Sequence, residues 1–223
     1  MSKPIACVVA AGRTVFGCFG KARPLNTSPE MIKALLLMFE PAATWERIAT
    51  ARRSILYILL THLAPLLLVG AVAEGYGLKR WGEWQKDVLV LKHFEEKEAV
   101  LFEAAQTVLL LAVVFIAAKT IKSMGDTFHG RHTFTQAFTV VAYGMSPMLL
   151  VRILDASRLT PWLAWTIGAL LMISILYHGV PRVMEPDPSH AFGLYLTSWL
   201  LLVLITGVLR FATGAYLNGT LKI

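Results

Sequence analysis

Long apolar runs alternate with short polar connections along the chain. Five runs, Ser54–Ala73, Val100–Ala118, Phe134–Leu154, Pro161–Val180 and Phe192–Ala212, have the length of a bilayer span. A helix rises about 1.5 Å per residue, so about 20 apolar residues match a hydrocarbon core about 30 Å thick, and in lipid only a helix satisfies its own backbone polar groups. The pattern predicts an all-α integral membrane five-helix bundle over residues 54–223, preceded by an amphipathic segment at 29–53 and a flexible cytoplasmic arm at 1–28. Short connections make the third, fourth and fifth spans antiparallel neighbours. The segment from Val88 to Phe102, with Leu91, Phe94 and Leu101 at helical spacing, predicts a second helix that begins ahead of the bilayer.

Before the first span the period changes. Ile32, Leu35, Leu36 and Phe39 recur at helical spacing among Glu30, Lys33 and Glu40, the signature of an amphipathic helix. Pro41 ends that helix and suits the first turn of another, in which Trp45 and Ile48 extend the stripe beside Glu46, Arg47, Arg52 and Arg53. Two placements fit this N-terminal amphipathic helix. It lies in the interface, with Trp45 at headgroup depth and Arg47, Arg52 and Arg53 against anionic lipid, or it packs on the cytoplasmic end of the bundle. Further upstream, Arg13 interrupts the apolar stretch Ile5–Gly20, and the apolar run before Arg13 is too short for the core of a signal peptide, so the segment is read as retained.

Composition agrees: 56% of the 223 residues are hydrophobic and the mean hydropathy is +0.61, leaving too little polar surface to cover a soluble globule. A net charge of +7 raises nucleic acid as a partner, but the basic residues are not gathered on a helix with interleaved aromatics, so none is expected. They flank the spans instead. Lys3, Arg13, Lys21, Arg23, Lys33, Arg47, Arg52 and Arg53 precede the first span, and Lys119, Lys122 and Arg131 fall between the second and third. By the positive-inside rule the N-terminus is cytoplasmic and, after five spans, the C-terminus is outside. Between Glu74 and Ala99 acidic residues outnumber basic ones, and Trp81 and Trp84 there are expected to anchor the outer interface. Cys7 and Cys18 match neither a zinc nor a CxxC spacing and read as unbridged thiols.

Polar residues inside the spans draw functional suspicion because hydrocarbon makes them costly. They are His62 in the first span, Glu103 with Gln106 and Thr107 in the second, Tyr143 and Ser146 in the third, and Tyr177 with His178 in the fourth. Glu103 and Arg152, near the outer boundary, are expected to snorkel to the headgroups. No HExxH or paired-carboxylate pattern supports a metal site. Asp126, His129 and His132 lie three apart, but Gly125 and Gly130 disfavour the helix that would bring them together. Ser146 precedes Pro147 with no neighbouring histidine in sequence, no GxSxG elbow occurs, and neither a Walker loop nor a dinucleotide fingerprint is present. Small residues one turn apart, Ala142 with Ser146 and Ala164 with Gly168, predict close helix packing. Pro147 removes a helix hydrogen bond and predicts a kink that frees a carbonyl near Tyr143.

Three stretches carry a family resemblance: Glu40-Pro41-Ala42-Ala43-Thr44-Trp45-Glu46-Arg47-Ile48, Ala142-Tyr143-Gly144-Met145-Ser146-Pro147 in the third span, and Leu176-Tyr177-His178-Gly179 closing the fourth. Together with five spans they resemble the bacterial branch of the Yip family over roughly residues 35–215. The resemblance implies a multi-pass protein of the bacterial inner membrane with an inward N-terminus. Eukaryotic relatives are linked to Rab-type GTPases, but the short arm of this chain does not carry that role over.

The reading that follows is a non-enzymatic membrane scaffold or accessory subunit without a cofactor. Its partners would be membrane lipids and another membrane protein, or itself as a homo-oligomer. A small transporter or channel is the competing class and would need His62, Tyr143 and His178 along one connected path. A metal-dependent membrane enzyme would need the histidines to converge.

Overall fold

The computed structural model describes residues 30–85, 90–127, 132–157, 161–187 and 189–220. The arm at 1–28 with its cysteines, His129 and the side chain of Trp84 lie outside what is described. Two short helices come first, α1 (Glu30–Phe39) and α2 (Pro41–Ala51), with Pro41 in the opening turn of α2. Proline tolerates that position because its missing N–H would be unsatisfied there anyway. Five helical spans long and apolar enough to cross a membrane follow: Ile55–Trp81, Glu96–Thr127, Phe134–Ala156, Trp162–Met184 and Ala191–Leu217.

Two of the spans are irregular, for a reason visible in the chain. The first consists of α3 (Ile55–Ile58), a π-helical turn at Leu59–Leu63, and α4 (Ala64–Trp81). Pro65 has no N–H to offer the Thr61 carbonyl, and Ala64 donates instead to Leu59, five residues back. The third span opens on a Thr133–Gln136 capping box and runs as α6 (Phe134–Gly144). It breaks at Met145, resumes as α7 (Ser146–Val151) and ends in a 3₁₀ turn, Arg152–Ala156. The break realises the kink expected from Pro147. The remaining spans are α5 (Glu96–Thr127), α8 (Pro161–Met184) and α9 (Ala191–Leu217).

The third span is the centre of the bundle: every residue from Ala137 to Leu149 is buried. α4, α5 and α8 pack around it, and α9 closes against α5 and α8. Gly168 permits the close approach of α8, since a Cβ there would sit 2.9 Å from Val151 Cγ2 and 3.1 Å from Met148 Cα. Lipid-length apolar rows remain exposed on α5 (Val100, Val108, Ile116) and α9 (Leu200, Leu204, Val208, Phe211), as expected where the outer solvent is hydrocarbon.

Between the first two spans the chain departs from the helical expectation for 88–102. Residues Glu83–Gln85 (β1) and Val90–Lys92 (β2) pair antiparallel, Glu83 opposite Lys92, and α5 begins only at Glu96. Leu91, read as one point of a helical stripe, faces Trp84 in this ladder. A short hairpin satisfies the backbone of the connection locally, and Phe94 beyond it is buried with Leu78, Ala99 and Leu217.

The amphipathic segment adopts the packed placement rather than the interfacial one. Trp45 is fully buried and its indole N–H donates to the Ile175 carbonyl at 2.8 Å. Gly179 makes room for it, because a Cβ there would collide with the indole ring. Trp45 is therefore not a membrane-surface contact, while Arg47, Arg52 and Arg53 are exposed.

Candidate functional site

At the end of the bundle remote from α2, four spans contribute to one buried ionic cluster. Glu74 (α4) accepts from Arg152 Nη2 at 2.7 Å, Arg152 Nε at 3.1 Å and Gln106 Nε2 at 3.0 Å, all on one oxygen, and from Arg210 Nη1 at 3.0 Å on the other. Arg152 also reaches Glu103 at 3.1 Å, and Arg210 reaches Asp155 at 3.1 Å. Gly70 and Gly77, two turns apart on α4, let that helix lie against the 3₁₀ turn carrying Arg152 and Asp155: a Cβ on Gly70 would stand 3.3 Å from Arg152 Nη1, and one on Gly77 would strike the Asp155 carbonyl.

Three carboxylates face two guanidinium groups here, and stranding any one of them in a low-dielectric interior costs several kcal/mol. Glu103 and Arg152 thus do not snorkel, because each finds an opposite charge at its own depth. Some capacity is left over: Glu103 Oε1, Gln106 Oε1, Arg152 Nη1 and Asp155 Oδ1 lack a hydrogen-bond partner among the described residues. A cavity of about 50 Å³ bordered by Gln106, Arg152, Asp155, Trp165 and Arg210 adjoins them, room for a few waters. Just beyond the first span, burial raises the pKa of Glu83 against the pull of Arg210.

A second, smaller polar group lies deeper, where the two irregular spans meet. The π turn presents His62 and the break at Met145 presents Ser146, placing His62 Nε2 2.9 Å from Ser146 Oγ. The His62 ring lies on that of Tyr143 with centroids 4.1 Å apart, and Trp45 meets the other side of Tyr143 edge-on at 6.1 Å. Sequence proximity had offered Ser146 no histidine, yet the fold supplies one across 84 residues. A histidine beside a serine hydroxyl is the start of a nucleophile–base pair. Both side chains are fully buried, and neither borders the 50 Å³ cavity or the larger one under α2.

The remaining candidates scatter. Tyr177 is exposed on α8, its ring 5.5 Å from that of Tyr195, and the neighbouring His178 bonds the Ser174 carbonyl within its own helix. His62, Tyr143 and Ser146 come together, whereas Glu103 and His178 belong to other parts of the bundle. Among the described residues no group of three His, Cys, Asp and Glu side chains is placed to hold a metal ion.

Glu74, Asp155 and Arg210 were not singled out from the sequence, although a signal was present. In antiparallel spans the ends of the first, third and fifth and the start of the second share one depth, and those are the places that carry Glu74, Arg152, Arg210 and Glu103. Matching opposite charges by depth, instead of judging each span alone, finds the cluster.

Comparison with known proteins adds one finding: a family model described as the Yip1 domain matches residues 35–209. No match was found among curated proteins or solved structures.

Proposed function

The chain belongs to the Yip1-domain family, and from that premise we propose that it is a non-enzymatic membrane scaffold or accessory subunit of the bacterial inner membrane, with its N-terminus cytoplasmic. It acts through its outer surface, on lipids and on a membrane-protein partner or a second copy of itself. One observation carries this reading. Polar side chains from several spans gather in two separate internal clusters, and a layer of apolar side chains lies between the two. His62 and Glu74 stand twelve residues apart in the first span, about 18 Å of helix, and buried Leu63, Leu66 and Leu67 occupy the stretch between them. Met148 and Leu149 do the same between Ser146 and Arg152. Transport would need polar groups through that layer, and binding does not. The apolar rows of α5 and α9 offer lipid or a partner helix an uninterrupted surface.

The test is isolation of the tagged protein from its native membrane in mild detergent, with mass spectrometry of proteins and lipids. A partner or second copy retained at fixed stoichiometry, and lost when Val108 and Ile116 or Leu204 and Val208 become Ala, supports the reading. A monodisperse single chain carrying only bulk lipid contradicts it.

The His62–Ser146 pair favours a second reading, an intramembrane hydrolase. Enclosure of both side chains speaks against it. A fluorophosphonate probe that labels Ser146, with labelling lost in His62→Ala, would establish this second reading, and the scaffold reading expects no labelling.

A further inference from the structure

Under α2, at the end of the bundle opposite the ionic cluster, lies a cavity of about 230 Å³. Its charged lining is Lys33, Arg52, Arg53 and Arg182 against Glu185, an excess of three positive charges. Unlike the arginines of the ionic cluster, Arg52, Arg53 and Arg182 make no ion pair with a described carboxylate. Arg53 lies over the Tyr57 ring with its Cζ 4.7 Å from the centroid, and Arg182 Nη1 donates to the His178 carbonyl at 3.0 Å, leaving the rest of each guanidinium available.

The backbone is distorted at this same place. Among the described residues two non-glycine residues have positive φ, Arg52 at 41° and Glu185 at 46°, and both border the cavity. The left-handed region is unfavourable for an L-residue, and here it turns the chain sharply at the end of α2 and just past the end of α8. The exposed Arg52, Arg53 and Arg182 share the lining with buried Ile48, Ile58, Val183 and Tyr143 and with the neutral polar side chains of Thr133, Thr135, Gln136 and Thr139. The site thus combines exposed cations with a lining of mixed polarity at the ends of membrane spans.

We propose that this cavity binds the phosphate-bearing headgroup of an anionic phospholipid, with Arg52, Arg53 and Arg182 around the phosphate and the glycerol against Ile48 and Val183. Guanidinium groups present planar, weakly hydrated donors suited to phosphate oxygens, and basic pockets between spans at the cytoplasmic surface are where anionic headgroups collect. The inference rests on the proposed inner-membrane setting and cytoplasmic N-terminus and not on the scaffold role, so the cavity holds lipid even if no protein partner exists.

The test is native mass spectrometry of the detergent-purified full chain titrated with phosphatidylglycerol, phosphatidylcholine, glycerol 3-phosphate or inorganic phosphate. The expected result is retention of phosphatidylglycerol at least tenfold tighter than phosphatidylcholine, reduced tenfold or more in Arg52→Gln/Arg182→Gln. It should be unchanged in Arg47→Gln/Lys119→Gln, which removes the same charge away from the cavity. Ala49→Phe, which fills the cavity and leaves every charge in place, should weaken retention equally and serves if the arginine variant fails to fold. Equal retention of the two lipids, equal loss in the control, or full retention by Ala49→Phe would overturn the proposal. Inorganic phosphate or glycerol 3-phosphate bound as tightly as the lipid would assign the cavity to a soluble phosphate and overturn the lipid assignment.

Discussion

Arg152 shows most clearly how single residues are used in this bundle. It bonds Glu74 twice and Glu103 once while 8% exposed, so its loss would leave carboxylates buried without their counter-charge. Arg152→Gln is expected to destabilise the fold by about 3–5 kcal/mol, read as a lower midpoint of thermal unfolding in detergent, and Glu74→Gln, which takes from Arg152 and Arg210 one of the two carboxylates each meets, should act in the same direction but less. A midpoint unchanged in both variants would mean that the cluster contributes nothing net. Loss of the His62–Ser146 bond is expected to have a smaller effect. Ser146→Ala should cost about 1 kcal/mol, and a double-mutant cycle with His62→Ala should show coupling, since a zero interaction energy would mean that the two side chains do not bond in the folded protein.

At the scale of elements, the legible parts were those set by local pattern. Five apolar runs, the Pro41 helix start and the Pro147 break can be read directly because length in lipid and a missing N–H act on the chain locally. Three features were not legible. The π turn at Leu59–Leu63 depends on Pro65, but which face it would present to Ser146 depends on a span 84 residues away. The hairpin of β1 and β2 replaces the start of the helix that the stripe of Leu91, Phe94 and Leu101 suggested, although Phe94 is buried against Leu78, Ala99 and Leu217. The burial of Trp45 rests on Gly179, a contact between α2 and α8 that helical periodicity does not encode. That contact gives the element-scale prediction. Gly179→Leu should push α2 off the bundle, so that an Ile48→Cys reporter, buried in the parent, becomes reactive to a water-soluble maleimide in a chain whose Cys7 and Cys18 are Ser. Unchanged reactivity would show that α2 is held by something other than the Trp45 contact.

The whole molecule is a bundle whose two ends differ in kind. One holds its arginines in closed ion pairs and the other sets arginines that make no ion pair with a described carboxylate around an open cavity. With the cytoplasmic N-terminus proposed above, the open cationic end meets the leaflet that the positive-inside rule assigns to it. A cysteine at Glu46 should then resist membrane-impermeant labelling in intact spheroplasts while one at Asn218 is labelled, and Arg52→Glu with Arg53→Glu should weaken that asymmetry. The reverse labelling pattern would invert the orientation.

The central claim is that the polar residues of the spans hold helices together and do not conduct, and flux measurements on proteoliposomes test it most directly. Proton and monovalent-ion flux through vesicles carrying the purified chain should equal that of empty vesicles across an imposed gradient. Flux above that level, abolished by His62→Ala or Glu103→Gln, would contradict the account and make these residues parts of a transport path.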